Sequence, residues 1–243
     1  MLAIRILTLS ALGLLLAGTA LAGGIDAKSG NQADQAFDIV NTRVSRTADA
    51  LVFSIAVAGA AGQSKPAANG KLEGAGVYSY VWPTSLDSAA AGFDAKQGIL
   101  ALAVTAHPDF DDTPAADENA DGDAKNDGGV WHSHWVVLGP DEACGKGSLK
   151  VIDIPEGAKP KLPATWPGLP LLIDSPNLPP AIEGATVSVS VPLAVVGDAT
   201  AFKYDGVTAG LRVNESMHAP LLCVSNVFDV ASGNLSLPGT VSE

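Results

Sequence analysis

Thr186-Val187-Ser188-Val189-Ser190-Val191 alternates valine with a hydroxyl residue over six positions. Successive side chains of an extended strand point to opposite faces, so the pattern suits a strand with one buried and one wet face, and suits no helix. Comparable stretches, alternating or apolar throughout, recur at residues 37–44, 51–57, 77–82, 99–106, 130–138, 149–154, 185–193 and 221–230. Residues 201–213 read as a strand pair broken at Asp205-Gly206. Glycine (26) and proline (16) separate these runs, and periodic helical stretches are scarce. About nine short strands between turn signals predict an all-β fold, an antiparallel β-sandwich or barrel with long loops. Half of the prolines fall in residues 155–180. Such a segment cannot join the middle of a sheet and reads as an extended crossing over the surface.

Residues 1–22 carry one cation, Arg5, then an apolar run over 6–16 and a small-x-small end, Ala20-Leu21-Ala22. This is the pattern of a secretory signal, and it predicts one mature domain, 23–243, in the periplasm or outside the cell. Thr19 stands where a bacterial lipid anchor would need cysteine. No later stretch reaches the roughly 18 apolar residues of a membrane span. A formal net charge of −12 argues against a nucleic-acid partner, because phosphate binding needs a basic face. Cys144 and Cys223 belong to no Cys-x-x-Cys pair, and in an oxidising compartment they are expected to form a disulfide.

Two of the four histidines occur as His132-Ser133-His134. On a strand their rings lie side by side on one face with Val130, Val136 and Leu138, and Trp131, Trp135 and Val137 take the other. Two neutral imidazoles at that spacing suit copper or zinc, and burying both without partners is costly. His107 follows the strand at 99–106 and becomes a third ligand if that strand neighbours 130–138. His218, beside Met217, is a candidate fourth.

Between these strands lies an acidic loop. Residues 109–127 hold eight acids and one base. Asp117, Asn119, Asp121 and Asp123, with Gly122 at the turn, place hard oxygen donors at alternate positions and predict a calcium site. The Glu expected at the twelfth loop position is replaced by Gly128, and the run is closer to the calcium loops of thrombospondin type 3 repeats. Asp109, Asp111 and Asp112 can join this cage or orient the histidines from behind.

The run Trp131-His132-Ser133-His134-Trp135, in a secreted β-rich chain with few histidines and acidic calcium-type loops, resembles the MopE/CorA-type copper-binding surface proteins of methane oxidisers. The resemblance covers roughly 30 residues and implies copper held by two histidines and an oxidised tryptophan. The family's Trp-x-His arrangement is absent, because Ser133 stands two after Trp131. The strands at 37–59 and 187–193 resemble DOMON-type sandwiches, which bind haem or sugars, the haem members through Met and His.

The residues thus predict a secreted or periplasmic metal-binding protein, for copper rather than zinc, that captures, stores or delivers its ion and has metal ions as its partners. Two rivals use the same chain differently. One is a hydrolytic three-histidine zinc enzyme with Asp109 or Asp111 as base. The other is a haem or carbohydrate module. No Gly-x-Ser-x-Gly, Gly-x-Gly-x-x-Gly, P-loop or His-Glu-x-x-His motif is present.

Overall fold

The structure is a computed structural model that describes residues 24–113, 116–197, 201–214 and 220–243. Residues 1–22, whose sequence predicts a secretory signal, and the Met217-His218 pair lie outside the described residues. The fold is all-β, as the alternation requires. The chain opens with β1 (Ile25–Asp26) and the hairpin β2 (Ile39–Arg46) and β3 (Ala50–Val57). β4 (Gly76–Pro83), β5 (Ile99–Ala106) and β6 (His132–Pro140) follow, then the short β7 (Leu149–Val151), β8 (Ile173–Asp174) and β9 (Ala181–Glu183). β10 (Thr186–Pro192) leads through one helical turn to β11 (Lys203–Tyr204), β12 (Val207–Val213), β13 (Leu222–Val230) and β14 (Gly239–Thr240). Among the described residues the strands number fourteen rather than about nine, because several are only two or three residues long.

The strands form two main sheets. One has the order β1-β2-β3-β10-β9. The other runs β5-β4-β12-β13-β7-β6-β8, and a further β5–β6 pairing closes six of its strands into a barrel-like ring. β11 and β14 make a separate two-stranded ribbon.

Two cores follow from strand periodicity. Leu51, Phe53 and Ile55 on β3 stand opposite Val191, Val189 and Val187 on β10, forming one buried face. The outer face of the ring covers it with Tyr80, Trp82, Leu100, Leu102, Val104, Trp135 and Val137. Phe53 meets both Trp82 and Trp135 edge-on, with ring centroids 5.9 and 6.1 Å apart. The alternate residues of the same strands, Val81, Ala101, Ala103, Val136 and Leu138, form the second core. The stretches at 99–106 and 130–138 are apolar on both faces because each face enters a different core.

The expected disulfide is present. Cys144 and Cys223 are bonded, with Cα atoms 5.4 Å apart. It lies at the thinnest seam of the ring, where β13 and β7 share a single residue pair, Cys223 with Lys150. The proline-rich crossing departs from expectation. Leu171, Leu172, Ile173, Asp174 and Ser175 are buried, and β8 pairs with Trp135 and Val136 of β6. The apolar run Leu171-Leu172-Ile173 lies between prolines 170 and 176, so it can be extended and buried without a proline facing the ladder.

Candidate metal centre

β5 and β6 are antiparallel neighbours, with Thr105 opposite His132 and Ala103 opposite His134. That register puts His107, one step past the end of β5, beside the two β6 histidines. The His107 N–H donates to Gly128 O at 2.7 Å, which ties the strand end to the far end of the acidic loop. Gly128 is required there by space. A Cβ at that position would stand 1.6 Å from Phe110 O and 2.7 Å from His107 O.

The loop between the strands folds back and turns one acid inward. Asp111 Oδ1 accepts the Thr113 N–H and O–H, and its Oδ2 accepts the Asp127 N–H. Asp127 in turn accepts the N–H groups of Glu118 and Asn119. Ser175 Oγ donates to the Asp112 carbonyl at 2.7 Å. Held on both sides, Asp112 directs its carboxylate at the histidines. Its Oδ1 lies 3.2 Å from His107 Nε2, 3.2 Å from His132 Nε2 and 3.3 Å from His134 Nε2. The side chains of His107, His132, His134 and Asp112 are 2, 1, 1 and 5% exposed.

The other nitrogen of each ring fixes its tautomer. His132 Nδ1 is 2.8 Å from Val130 O, His107 Nδ1 is 3.0 Å from Phe110 O, and His134 Nδ1 is 3.2 Å from Asp174 O. A carbonyl only accepts, so each Nδ1 carries the hydrogen and each neutral ring presents its lone pair at Nε2, that of His132 with the Thr105 hydroxyl 3.1 Å away. Ser175 Oγ, also 3.2 Å from His134 Nδ1, joins that restraint. His107 is further held by stacking on Phe110, with ring centroids 4.0 Å apart.

Four lone-pair atoms therefore converge in a buried space. Asp112 Oδ1 and His134 Nε2 have no hydrogen-bond partner. The close approach of His107 Nε2 to His132 Nε2, at 2.9 Å, cannot be a hydrogen bond between neutral rings of this tautomer. Such a set requires a proton or a cation at its centre. Burial lowers the pKa of His132. Burial acts the same way on His107, but the Asp112 carboxylate outweighs it and holds His107 above its ordinary value. Burial also opposes ionisation of Asp112, yet His134 and His107 keep its carboxyl well below the usual range.

These four donor atoms can hold a metal ion: all lie within 4.8 Å of one another. For bonds of about 2.0–2.1 Å, the edges of a tetrahedron of N and O donors are about 3.3 Å. The three edges at Asp112 Oδ1 match that length. The structure thus brings His107, His132 and His134 together as the strand reasoning expected. It adds Asp112 as a direct member rather than a support, and adds Asp174 and Ser175 behind His134. Asp112 could be singled out from sequence only as one of several neighbouring acids, and nothing local marks residues 174 and 175.

The loop residues Asp117, Asn119, Asp121 and Asp123 are exposed. Their oxygens accept backbone N–H groups: Asp117 from Asp121 and Gly122, Asn119 from Asp121, Asp121 from Asp123, and Asp123 from Lys125. Hydrogen bonding from Asn126 leads the causes that hold the Asp121 carboxyl below its ordinary value. Among the described residues no helix is long and apolar enough to cross a membrane. Comparison with protein-family models, curated proteins and solved structures finds no match to the chain.

Proposed function

We propose that this is a secreted or periplasmic metalloprotein that captures and retains one divalent transition ion at His107, Asp112, His132 and His134. The observation that carries the reading is the convergence of three Nε2 lone pairs and one carboxylate oxygen, each ring locked by a carbonyl behind it. That support is the usual means of orienting metal-bound imidazole. The set contains no sulfur, and both cysteines are in the disulfide. It therefore favours Zn(II) or Cu(II) over Cu(I). The near-tetrahedral edges at Asp112 favour Zn(II), whereas the sequence predicts copper rather than zinc. Cu(II) is the second reading, because an N/O site of this kind binds it tightly if the geometry can flatten. Burial of every ligand suits retention more than rapid delivery.

The test is metal analysis of protein purified from its own compartment, followed by titration of the chelated protein with Zn(II) and Cu(II). The expected result is one ion per chain, lost in His132→Ala/His134→Ala. Absence of stoichiometric binding, or wild-type affinity in the double variant, overturns the reading. A structural calcium ion at Asp117, Asn119, Asp121 and Asp123 belongs to the same proposal, because the loop directly precedes β6. Thermal melts with calcium and with chelator, on wild type and Asp121→Ala, test it. An unchanged wild-type melting temperature removes it.

A further inference from the structure

The core inside the ring is incompletely filled. Inward-facing Val81, Ala103, Val136, Leu138, Val207 and Ala209 leave a cavity of about 90 Å³ among them. His107, Asp112 and His134 belong to the same wall. Two of those three carry the unpartnered atoms, Asp112 Oδ1 and His134 Nε2. An ion held by these groups would have open apolar space beside it rather than packed protein. The wall's remaining polar side chains are already engaged: the Thr105 hydroxyl lies 3.1 Å from His132 Nε2 at the cluster, and the Ser79 hydroxyl donates to Ala209 O. No Lys or Arg is among the wall's described residues.

We propose that the ring interior is a binding chamber for a small uncharged apolar molecule that rests against the metal. The proposal depends on the metal reading above and names what reaches that ion. Size sets one limit. An engineered apolar cavity of about 150 Å³ holds benzene, and a water's share of liquid volume is about 30 Å³, so this chamber takes about three or four heavy atoms. Wall chemistry sets another. A charged or strongly polar guest would lose its hydration and find no partner away from the metal end. A chain of waters would lack the two to four polar contacts each needs. Alanine at 103 and 209, where leucine would fill the space, keeps the chamber open. Val227 and Leu235 also line the cavity and are 45 and 42% exposed, so its wall reaches the surface beside them.

Xenon is the probe for the chamber, and Co(II), which has a visible spectrum and is paramagnetic, is the probe for the metal. Xenon NMR on the metal-free, Zn(II)-loaded and Co(II)-loaded protein should give a saturable shift in all three. Strongly enhanced relaxation of the bound xenon should occur only with Co(II). Ala209→Leu should abolish the saturable shift and keep the Co(II) spectrum. Ala103→Val serves the same purpose if the first variant does not fold. No saturable shift in wild type overturns the chamber, and equal relaxation with Zn(II) and Co(II) overturns its contact with the metal. Failure of Co(II) and Zn(II) to bind, with xenon still binding metal-free protein, overturns the metal reading and this proposal's metal contact together, leaving a bare cavity.

Discussion

His107 and His132 bring their Nε2 atoms to 2.9 Å although 25 residues separate them. Each has already committed its Nδ1 hydrogen to a backbone carbonyl, Phe110 and Val130 respectively. The contact is therefore between two lone pairs, unless one ring takes a second proton. In metal-free protein that ring is His107, whose pKa is raised against burial by Asp112. The same space accepts either a proton or an ion, and this competition governs the behaviour of the site.

Asp112→Asn should separate the charge from the shape. The amide can donate to the unpartnered His134 Nε2, so the metal-free protein should melt at the wild-type temperature or above it. Loss of the anionic ligand should weaken Zn(II) binding by about 100-fold or more, beyond the effect of removing an outer partner. Isothermal titration and thermal melts check both. Unchanged affinity would remove Asp112 from the ligand set.

The pH dependence has a defined sign. His132 is lowered in the fold, so it stabilises above its unfolded value of about 6.5, an effect lost as pH falls through the folded value. His107 is raised, so in metal-free protein its contribution is complete below about 6.5 and is lost as pH rises through the folded value. A bound ion displaces the His107 proton and reverses that sign. The gain in melting temperature on adding Zn(II) should therefore grow from pH 5 to pH 8. An equal gain at both ends would refute the competition.

Gly128→Ala should be severe for a reason of space. Its Cβ would overlap Phe110 O at 1.6 Å, so the return of the loop onto His107 must shift. Overpacking of this kind should destabilise by about 3 kcal/mol and displace both His107 and Asp112. Denaturant unfolding and Zn(II) titration together measure it. Wild-type values for both would contradict the placement of the loop.

Cys144→Ser/Cys223→Ser should lower stability by about 4 kcal/mol, as expected for a cross-link spanning 79 residues. Metal affinity at neutral pH should survive, because the ligands lie on the β5–β6 side and the bridge on the β13–β7 seam. Coincident unfolding midpoints for bridged and unbridged protein would show that the seam holds without it.

Alternation alone places Trp135 and Val137 on one face of β6, and Val136 and Leu138 with the histidines on the other. That face assignment is local, since a strand's period of two is imposed by backbone geometry. The break at Asp205-Gly206, the longer strands and the choice of Cys144 and Cys223 as partners were legible for similarly short-range or compositional reasons, whereas the short β1, β8, β9 and β14 were not. Which strands become neighbours is not a local property. Tertiary packing made β5 and β6 adjacent and so moved His107 into reach; it also buried residues 171–175 of the proline-rich segment behind His134. Among the acids of the loop, only the fold could select Asp112, because Asp111 and Asp127 find backbone N–H groups while Asp112 is turned inward. The chamber beside the site is likewise a product of ring closure, since alanines at 103 and 209 leave space only once their strands curve around it.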